Sequence, residues 1–321
     1  MAPLRSICDA LFAHSYDGRH RIEVDETVGA VQAWLGRQSS MWRDAWEAAR
    51  DRSLREATRE VLRRSVCVVP AGRDDLKSTP PMLVVTTALR VLRLPLRILV
   101  ENGRTDGGRF LRRVSDLGRR NERLKRFLDE GWLEFDSAGG NSEMSEVIKS
   151  SHANPAWNLR HYAIFDSDAL HPNTPSPTAD TLLRRCGKYG IPHRCLLRRS
   201  AENYLPPAAL EQLWAGSGDE RLRRVHAYRD LDQPGDRPER RHHYAMKKGF
   251  RGSPERAEPV PHDDGLYAGL SVERREVLAY GFGGSIRDVF GIPSADWERR
   301  LLEDGQGDEV GGMLDEVFSF R

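Results

Sequence analysis

Apolar residues recur along this chain first at helical spacing and then, from Leu96 onward, in short runs separated by helical stretches. Val28, Val31, Trp34 and Leu35, followed by Trp42, Trp46, Ala49, Leu54, Ala57, Val61 and Leu62, recur mostly every three or four positions. That spacing predicts an N-terminal helical hairpin or one long bent helix, with the tryptophans as a core stripe rather than a base-stacking platform. Residues 66–69 and 82–88 are short β-rich runs, punctuated by Pro70, Gly72, Pro80 and Pro81.

Beyond Leu96 the period changes. Residues 96–100 read as a strand; Gly107 and Gly108 then open a helix with Phe110, Leu111, Val114 and Leu117 on one stripe, and a second helical piece carries Leu124, Phe127 and Leu128. Residues 132–135 read as the next strand, and Gly139 and Gly140 break the chain before a short helix with Met144, Val147 and Ile148. A third strand over 162–165 runs into a polar loop with Pro172, Pro175 and Pro177, then a helix through Leu182, Leu183, Cys186 and Tyr189. A fourth strand-like segment over 193–197 precedes a helix opened by Pro206 and Pro207. Four strand-and-helix units in series predict an α/β fold, a mostly parallel sheet with helices on both faces.

Residues 229–265 are rich in Arg, Asp, Pro and His and read as a long loop bearing Lys247 and Lys248; helical patterns return around 277–278, 286–290, 297–302 and 313–318. The expected organisation is an N-terminal helical region over 1–65, an α/β core over 66–215, and a basic loop with C-terminal helices over 216–321.

Composition narrows the class. At 321 residues with 39% hydrophobic and 31% charged residues, a sizeable buried core is feasible. No apolar run nears the roughly 20 residues of a membrane helix, and the N-terminus lacks the basic-then-apolar layout of a secretory signal. A cytoplasmic protein without a membrane partner is expected. Cys8, Cys67, Cys186 and Cys195 show no C-x-x-C spacing, so reduced thiols are expected rather than a zinc knuckle or disulfides. Net charge of +2 does not itself point to nucleic acid, but only six of the 50 basic residues are lysines. Arginine fits phosphate oxygens bidentately, although a codon bias accounts for such an excess as readily. What remains is local: Arg119–Arg120, Arg184–Arg185, Arg198–Arg199 and the 237–241 stretch flank the segments that carry candidate chemistry.

The carboxyl ends of parallel strands face one crevice, where ligands bind. Glu101 follows the first core strand, and Asp166 and Asp168 follow the third. Clustered acids repel one another and tend to hold protons unless a cation keeps them ionised. Oxygen-only ligands favour Mg2+ or Mn2+ over zinc. Plainer roles stand beside these: Glu101 as a turn cap, Asp106 as a helix N-cap, Asp166 and Asp168 as loop acids bonded to their own backbone. Glu202 could pair with Arg198 or Arg199, and Lys247 and Lys248 could be solvated charges. His161, His171, His193, His242 and His243 lack ligand spacing, and the last two are expected on a solvated loop.

These motifs resemble the TOPRIM domain, the topoisomerase and primase sheet also used by OLD-family nucleases. Val100-Glu101-Asn102-Gly103-Arg104-Thr105-Asp106 is similar to its first motif, Phe165-Asp166-Ser167-Asp168 to its double-acid strand end, and Ser137-Ala138-Gly139-Gly140-Asn141 to the glycine turn between them. Leu197-Arg198-Arg199-Ser200-Ala201-Glu202-Asn203-Tyr204-Leu205-Pro206 resembles the element that follows in OLD-like proteins and related phage-defence effectors. The likeness spans roughly residues 96–250. It departs from the family at Asn102, where a glycine is usual, and at Asp106, which lies five rather than four positions after the acid.

The resemblance implies Mg2+- or Mn2+-assisted phosphodiester hydrolysis of DNA or RNA. In that reading Glu101, Asp106, Asp166, Asp168 and Glu202 are metal ligands, Lys247 or Lys248 approaches the scissile phosphate, and Arg198 and Arg199 join the two lysines in binding nucleic acid. Family habit implies a homodimer, and because no G-x-x-x-x-G-K-[ST] loop is present any ATP hydrolysis is expected from a partner ATPase. Alternatives are a non-catalytic TOPRIM module that binds nucleic acid or scaffolds a complex, and a nucleotide-sugar transferase, which assigns no role to Glu101 or Glu202.

Overall fold

The computed structural model describes residues 9, 12–13, 16–59, 64–104, 108–150, 154–216, 218–232, 239–253, 256–257, 260–292 and 297–320. Helices α1 (Gly29–Leu35) and α2 (Ser40–Arg59) form the expected N-terminal helical unit. Its core is the predicted tryptophan stripe: Trp34 meets Trp42 edge-on at 4.7 Å, and Trp42 stacks on Trp46 at 5.8 Å.

A short parallel pair follows, β1 (Cys67–Val69) and β2 (Met82–Val84), and then α3 (Val85–Arg93). Expected strand over 82–88 is therefore half wrong: from Val85 the buried residues Val85, Ala88 and Val91 fall three apart, a helical period that outweighs the β-branched composition.

The main sheet has four parallel strands in the order β4-β3-β5-β6: β3 (Leu96–Val100), β4 (Leu133–Ser137), β5 (His161–Phe165) and β6 (His193–Cys195). The central strands β3 and β5 are almost wholly buried, as continuous apolar runs in a parallel sheet require. Period-two alternation sorts their side chains onto two cores. Ile98, Val100, Tyr162 and Ile164 face one cluster, and Leu99, Ala163 and Phe165 the other.

Between strands lie α4 (Gly108–Val114), α5 (Asn121–Asp129), α6 (Asn141–Ser150) and α7 (Pro177–Tyr189). The last shows how local sequence sets a boundary. Ser176 caps its first turn by accepting from Ala179 N, Pro177 starts it, and Gly190 in the left-handed region ends it. Helices α6 and α7 pack Met144, Ile148, Leu182 and Cys186 onto the second face.

Helices α8 (Pro207–Trp214) and α9 (Asp219–Arg229) follow. The described part of residues 229–265 is not wholly the long loop that their composition suggests. They include α10 (Glu239–His243), with Arg240, Arg241 and His243 buried, and then buried Tyr244 and Met246. Backbone carbonyls compensate the guanidinium of Arg240, which donates to Leu266 O at 2.8 Å and Ala268 O at 2.6 Å; charge alone therefore misjudges burial here.

Beyond α11 (Val272–Val277), α12 (Trp297–Glu303) and α13 (Gly307–Ser319) complete the chain. Ile286, Phe290, Leu301, Leu314 and Phe318 join Ile98, Val100 and Tyr162 in one apolar cluster. The C-terminal segment thus covers one face of the sheet. No helix among the described residues is long and apolar enough to cross a membrane.

Candidate functional site

Strands β3 and β5 are hydrogen-bonded neighbours with Ile98 level with Tyr162 and Leu99 with Ala163. Their carboxyl ends therefore deliver Glu101 and Asp166 to the same rim, and both line one small pocket with Val100, Phe165, Leu196 and Ala201. Glu101 is fixed through its backbone, its carbonyl accepting from Gly139 N at 2.9 Å. Its side chain lies beside the glycine turn, where a Cβ on Gly140 would stand 4.0 Å from Oε1.

Asp166 Oδ1 accepts from Ala201 N at 2.9 Å, which ties the double-acid strand end to the segment carrying Glu202. Burial raises the Asp166 carboxyl well above the usual carboxylate range, and the charges of Glu202, Glu101 and Asp168 push it further against the opposing pull of Lys247. Four acids are thus electrostatically one group.

Asp168 holds a left-handed backbone, φ 47°, and its N–H donates to Arg199 O at 2.9 Å. It stands on the solvent side of the rim. Asn141 Nδ2 ties the loop down, donating to Asp166 O at 3.1 Å and Asp168 Oδ2 at 3.0 Å. Partial desolvation pushes the Asp168 carboxyl up, with Arg199 foremost among the groups opposing it.

Glu202 is only 1% exposed. Its Oε1 accepts from Lys247 Nζ at 2.6 Å and Arg287 Nε at 3.0 Å. Burial alone would raise its carboxyl, but the Lys247 ammonium, together with hydrogen bonding from Ser200 and the backbone, outweighs that and holds it below the usual range. Oε2 is buried with no hydrogen-bond partner among the described residues.

The lysine comes from a tight turn after α10 that leans on the backbone of residues 278–283. Phe282 N donates to Met246 O at 2.7 Å and Gly283 N to Lys247 O at 3.1 Å. Two glycines permit this approach. A Cβ on Gly281 would lie 2.4 Å from Lys247 C, and one on Gly249, φ 65°, 2.5 Å from Tyr280 C; no side chain fits either gap.

Of the predicted residues, Glu101, Asp166, Asp168, Glu202 and Lys247 come together. Lys248 is exposed at the outer side of the same turn, and Asp106 lies outside the described residues. Arg198 does not serve as a phosphate contact. It is 5% exposed, donates to Asn203 O at 2.8 Å and Asp304 Oδ2 at 3.1 Å, and lies over the Tyr204 ring. Asp304, whose side chain is 8% exposed and also takes Arg241 Nη2 at 2.5 Å, claims it as a structural cation. Arg199 stays near the rim, donating to Pro261 O at 3.1 Å and His243 O at 3.3 Å. The adjacent histidines are not solvated: His243 is buried, and burial, then the Arg198 and Arg241 charges, pushes His242 down to about 3.

Arg287 is the site residue that the sequence did not mark. It sits in a 3-10 turn, Gly284–Gly291, amid apolar positions, and nothing local sets it apart from the other arginines. Among the described residues no three of His, Cys, Asp and Glu stand as close as a metal shell requires. The rim instead has oxygen donors of one sign facing a lysine and an arginine, an arrangement able to gather a cation or a phosphate. Comparison of the chain with protein-family models, curated proteins and solved structures returns no match.

Proposed function

We propose that this protein is a Mg2+- or Mn2+-dependent nuclease of the TOPRIM kind that hydrolyses phosphodiester bonds in DNA or RNA. The observation that carries the reading is the gathering of Glu101, Asp166, Asp168 and Glu202 with Lys247 at one sheet rim. The donor set suits a hard divalent ion. It is oxygen-only, Glu202 Oε2 lacks a hydrogen-bond partner among the described residues, and the Asp166 carboxyl is raised first by burial and then by the neighbouring acids, whose repulsion a cation would relieve.

Glu101, Asp166, Asp168 and Glu202, which stand farther apart than a metal shell requires, would have to draw together to hold the metal, which when bound polarises the phosphate and lowers the pKa of a water. Asp166, its geometry fixed by Ala201 N, orients the acids. Lys247 supplies a compact positive charge against the charge that builds on the phosphate oxygens. Exposed Lys248 holds the flanking backbone of the nucleic acid. Arg287 keeps Glu202 ionised when Lys247 turns to substrate. A partner ATPase, a homodimer and a place in anti-phage defence belong to the same proposal through the family resemblance.

The test incubates the full chain with plasmid DNA and total tRNA in Mg2+, Mn2+ or EDTA, beside Glu101→Gln. Metal-dependent cutting that the variant loses supports the reading; cutting retained in the variant rejects the site.

One observation favours a second reading, a non-catalytic nucleic-acid-binding or scaffold module: Lys247 and Arg287 already neutralise Glu202. Binding that persists undiminished in the Asp166→Ala, Asp168→Ala double variant, without cutting by the parent, selects it.

A further inference from the structure

Three arginines meet at the opposite end of the sheet without an acid among the described residues. Arg19 Nη2 donates to Arg93 O at 2.9 Å and also to Leu94 O, the same oxygen that takes Arg160 Nε at 3.1 Å. Arg160 Nη1 reaches Phe320 O at 3.3 Å, and the Arg64 guanidinium lies 5.9 Å from the centroid of the Phe320 ring. Arg64 in turn donates to Asn158 O at 3.1 Å and Gly190 O at 2.8 Å. Leu94 precedes β3, Arg160 precedes β5 and Gly190 precedes β6, so the cluster marks the amino-terminal rim, remote from the acids.

Two other buried guanidiniums, Arg198 and Arg241, meet the carboxylate of Asp304, while that of Arg240 lies on backbone carbonyls. Here no acid acts on Arg19, Arg64 or Arg160 among the described residues; burial lowers all three, and Arg19 and Arg64 add their repulsion to Arg160. The carbonyl acceptors at Arg93, Leu94 and Gly190 belong to the carboxyl ends of α3 and α7. Phe320 O, which takes Arg160 Nη1, adds the carboxyl end of α13; each helix end contributes roughly half a negative charge, so the three together offset about one and a half of three positive charges and leave about one and a half. Among the described residues Arg19 Nε is buried without a partner. Arg160, 5% exposed, forms the floor, while Arg19 and Arg64 are half-buried and reach solvent.

We propose that Arg19, Arg64 and Arg160 form an anion site that takes the dianionic phosphate of a phosphomonoester. Such a group carries about −1.5 to −2 near neutral pH, which matches the uncompensated charge, and guanidinium forks are suited to its oxygens. The ligand's phosphate can belong to a free nucleotide or to the 5′ end of a nucleic acid.

Isothermal titration of the full chain tests this, with metal omitted and ionic strength held constant with chloride. The probes are inorganic phosphate, AMP, and a 5′-phosphorylated oligonucleotide beside its 5′-hydroxyl counterpart. Saturable binding is expected for phosphate and AMP. Arg64→Gln and Arg19→Gln, each checked for native circular dichroism, weaken it on the order of tenfold, while Lys247→Met leaves it unchanged. Tighter binding of the 5′-phosphorylated than of the 5′-hydroxyl strand supports the site and assigns its phosphate to a nucleic-acid end; AMP binding alone supports it with a free nucleotide. Absence of saturable binding, binding unchanged in both arginine variants, or binding abolished by Lys247→Met overturns the proposal.

Discussion

Replacing Lys247 by Met strips one cation from a carboxylate that is 1% exposed, and the size of the penalty follows from the surroundings. An exposed ion pair contributes about 0.2–1 kcal/mol, whereas removing one partner of a fully buried pair costs about 3–5 kcal/mol. Lys247 is 30% exposed at its side chain and Arg287 still bonds Glu202 at 3.0 Å. The loss therefore falls between those limits, at about 2 kcal/mol. Glu202→Gln alone should cost less, because the half-buried ammonium can recover water, and the double variant should show a coupling of about 1–2 kcal/mol. Urea unfolding at pH 7 without metal reads all three, provided the m-values agree. Acid supplies an internal check. Glu202 is held below the usual carboxylate range, so its contribution is present above that range and fades as pH falls through the lowered value. The Lys247→Met penalty should shrink below about pH 4. A coupling indistinguishable from zero, or a penalty that grows on acidification, refutes the ion-pair argument.

Asp166→Asn should stabilise the metal-free protein by about 1 kcal/mol at neutral pH while abolishing cutting. Its carboxyl is raised, so the native state binds the extra proton, and wild-type stability is lost as pH rises from about 4 through the raised value; a pH series of urea midpoints showing the variant losing as much would contradict this. Asp304→Ala leaves Arg198 and Arg241 buried without a carboxylate and should cost about 3–5 kcal/mol, with a midpoint shift below a quarter of that counting against the structural role. Gly281→Ala drives a methyl into the Lys247–Lys248 peptide and should cost about 1–3 kcal/mol and lower cutting at least tenfold; Gly284→Ala, where a Cβ meets nothing within 4 Å, is the control and should shift stability by less than about 0.5 kcal/mol.

Much of the sheet is legible along the chain because β3 and β5 are buried on both faces and so read as unbroken apolar runs. Once they are neighbours, the parallel arrangement alone places Glu101 beside Asp166. What pattern reading misses is set by long-range compensation. Arg198 reads as a phosphate contact, and Arg240 and Arg241 as charges on a long loop, until Asp304, Leu266 O and Ala268 O are in place to receive them. Arg287 meets Glu202 across 85 positions, and an arginine in an apolar 3-10 turn carries no local mark of that partner. The 82–88 run fails differently: β-branched composition and a three-residue period point to opposite structures, and packing of Val85, Ala88 and Val91 decides for the helix.

The acids come from the α/β core, but both cations on Glu202 come from beyond residue 240, and this division has an energetic reason. A sheet rim with Glu101, Asp166, Asp168 and Glu202 on it is self-repelling, the other three acids adding to the burial that already raises the Asp166 carboxyl. The segment that supplies Lys247 and Arg287 also supplies Ile286, Phe290, Leu314 and Phe318 to the core beneath Ile98 and Tyr162. Apolar burial there, at roughly 25 cal/mol per Å2, anchors the cations against the rim, so the lysine is held by packing rather than by its charge alone. Cation and core cover are consequently one structural unit. Removing the C-terminal helices should leave Glu202 buried without a partner and the face of β3 and β5 open. A chain ended after α8 should therefore fail to fold cooperatively in urea, whereas a separable core that kept a sharp transition would show that the acids tolerate one another without help.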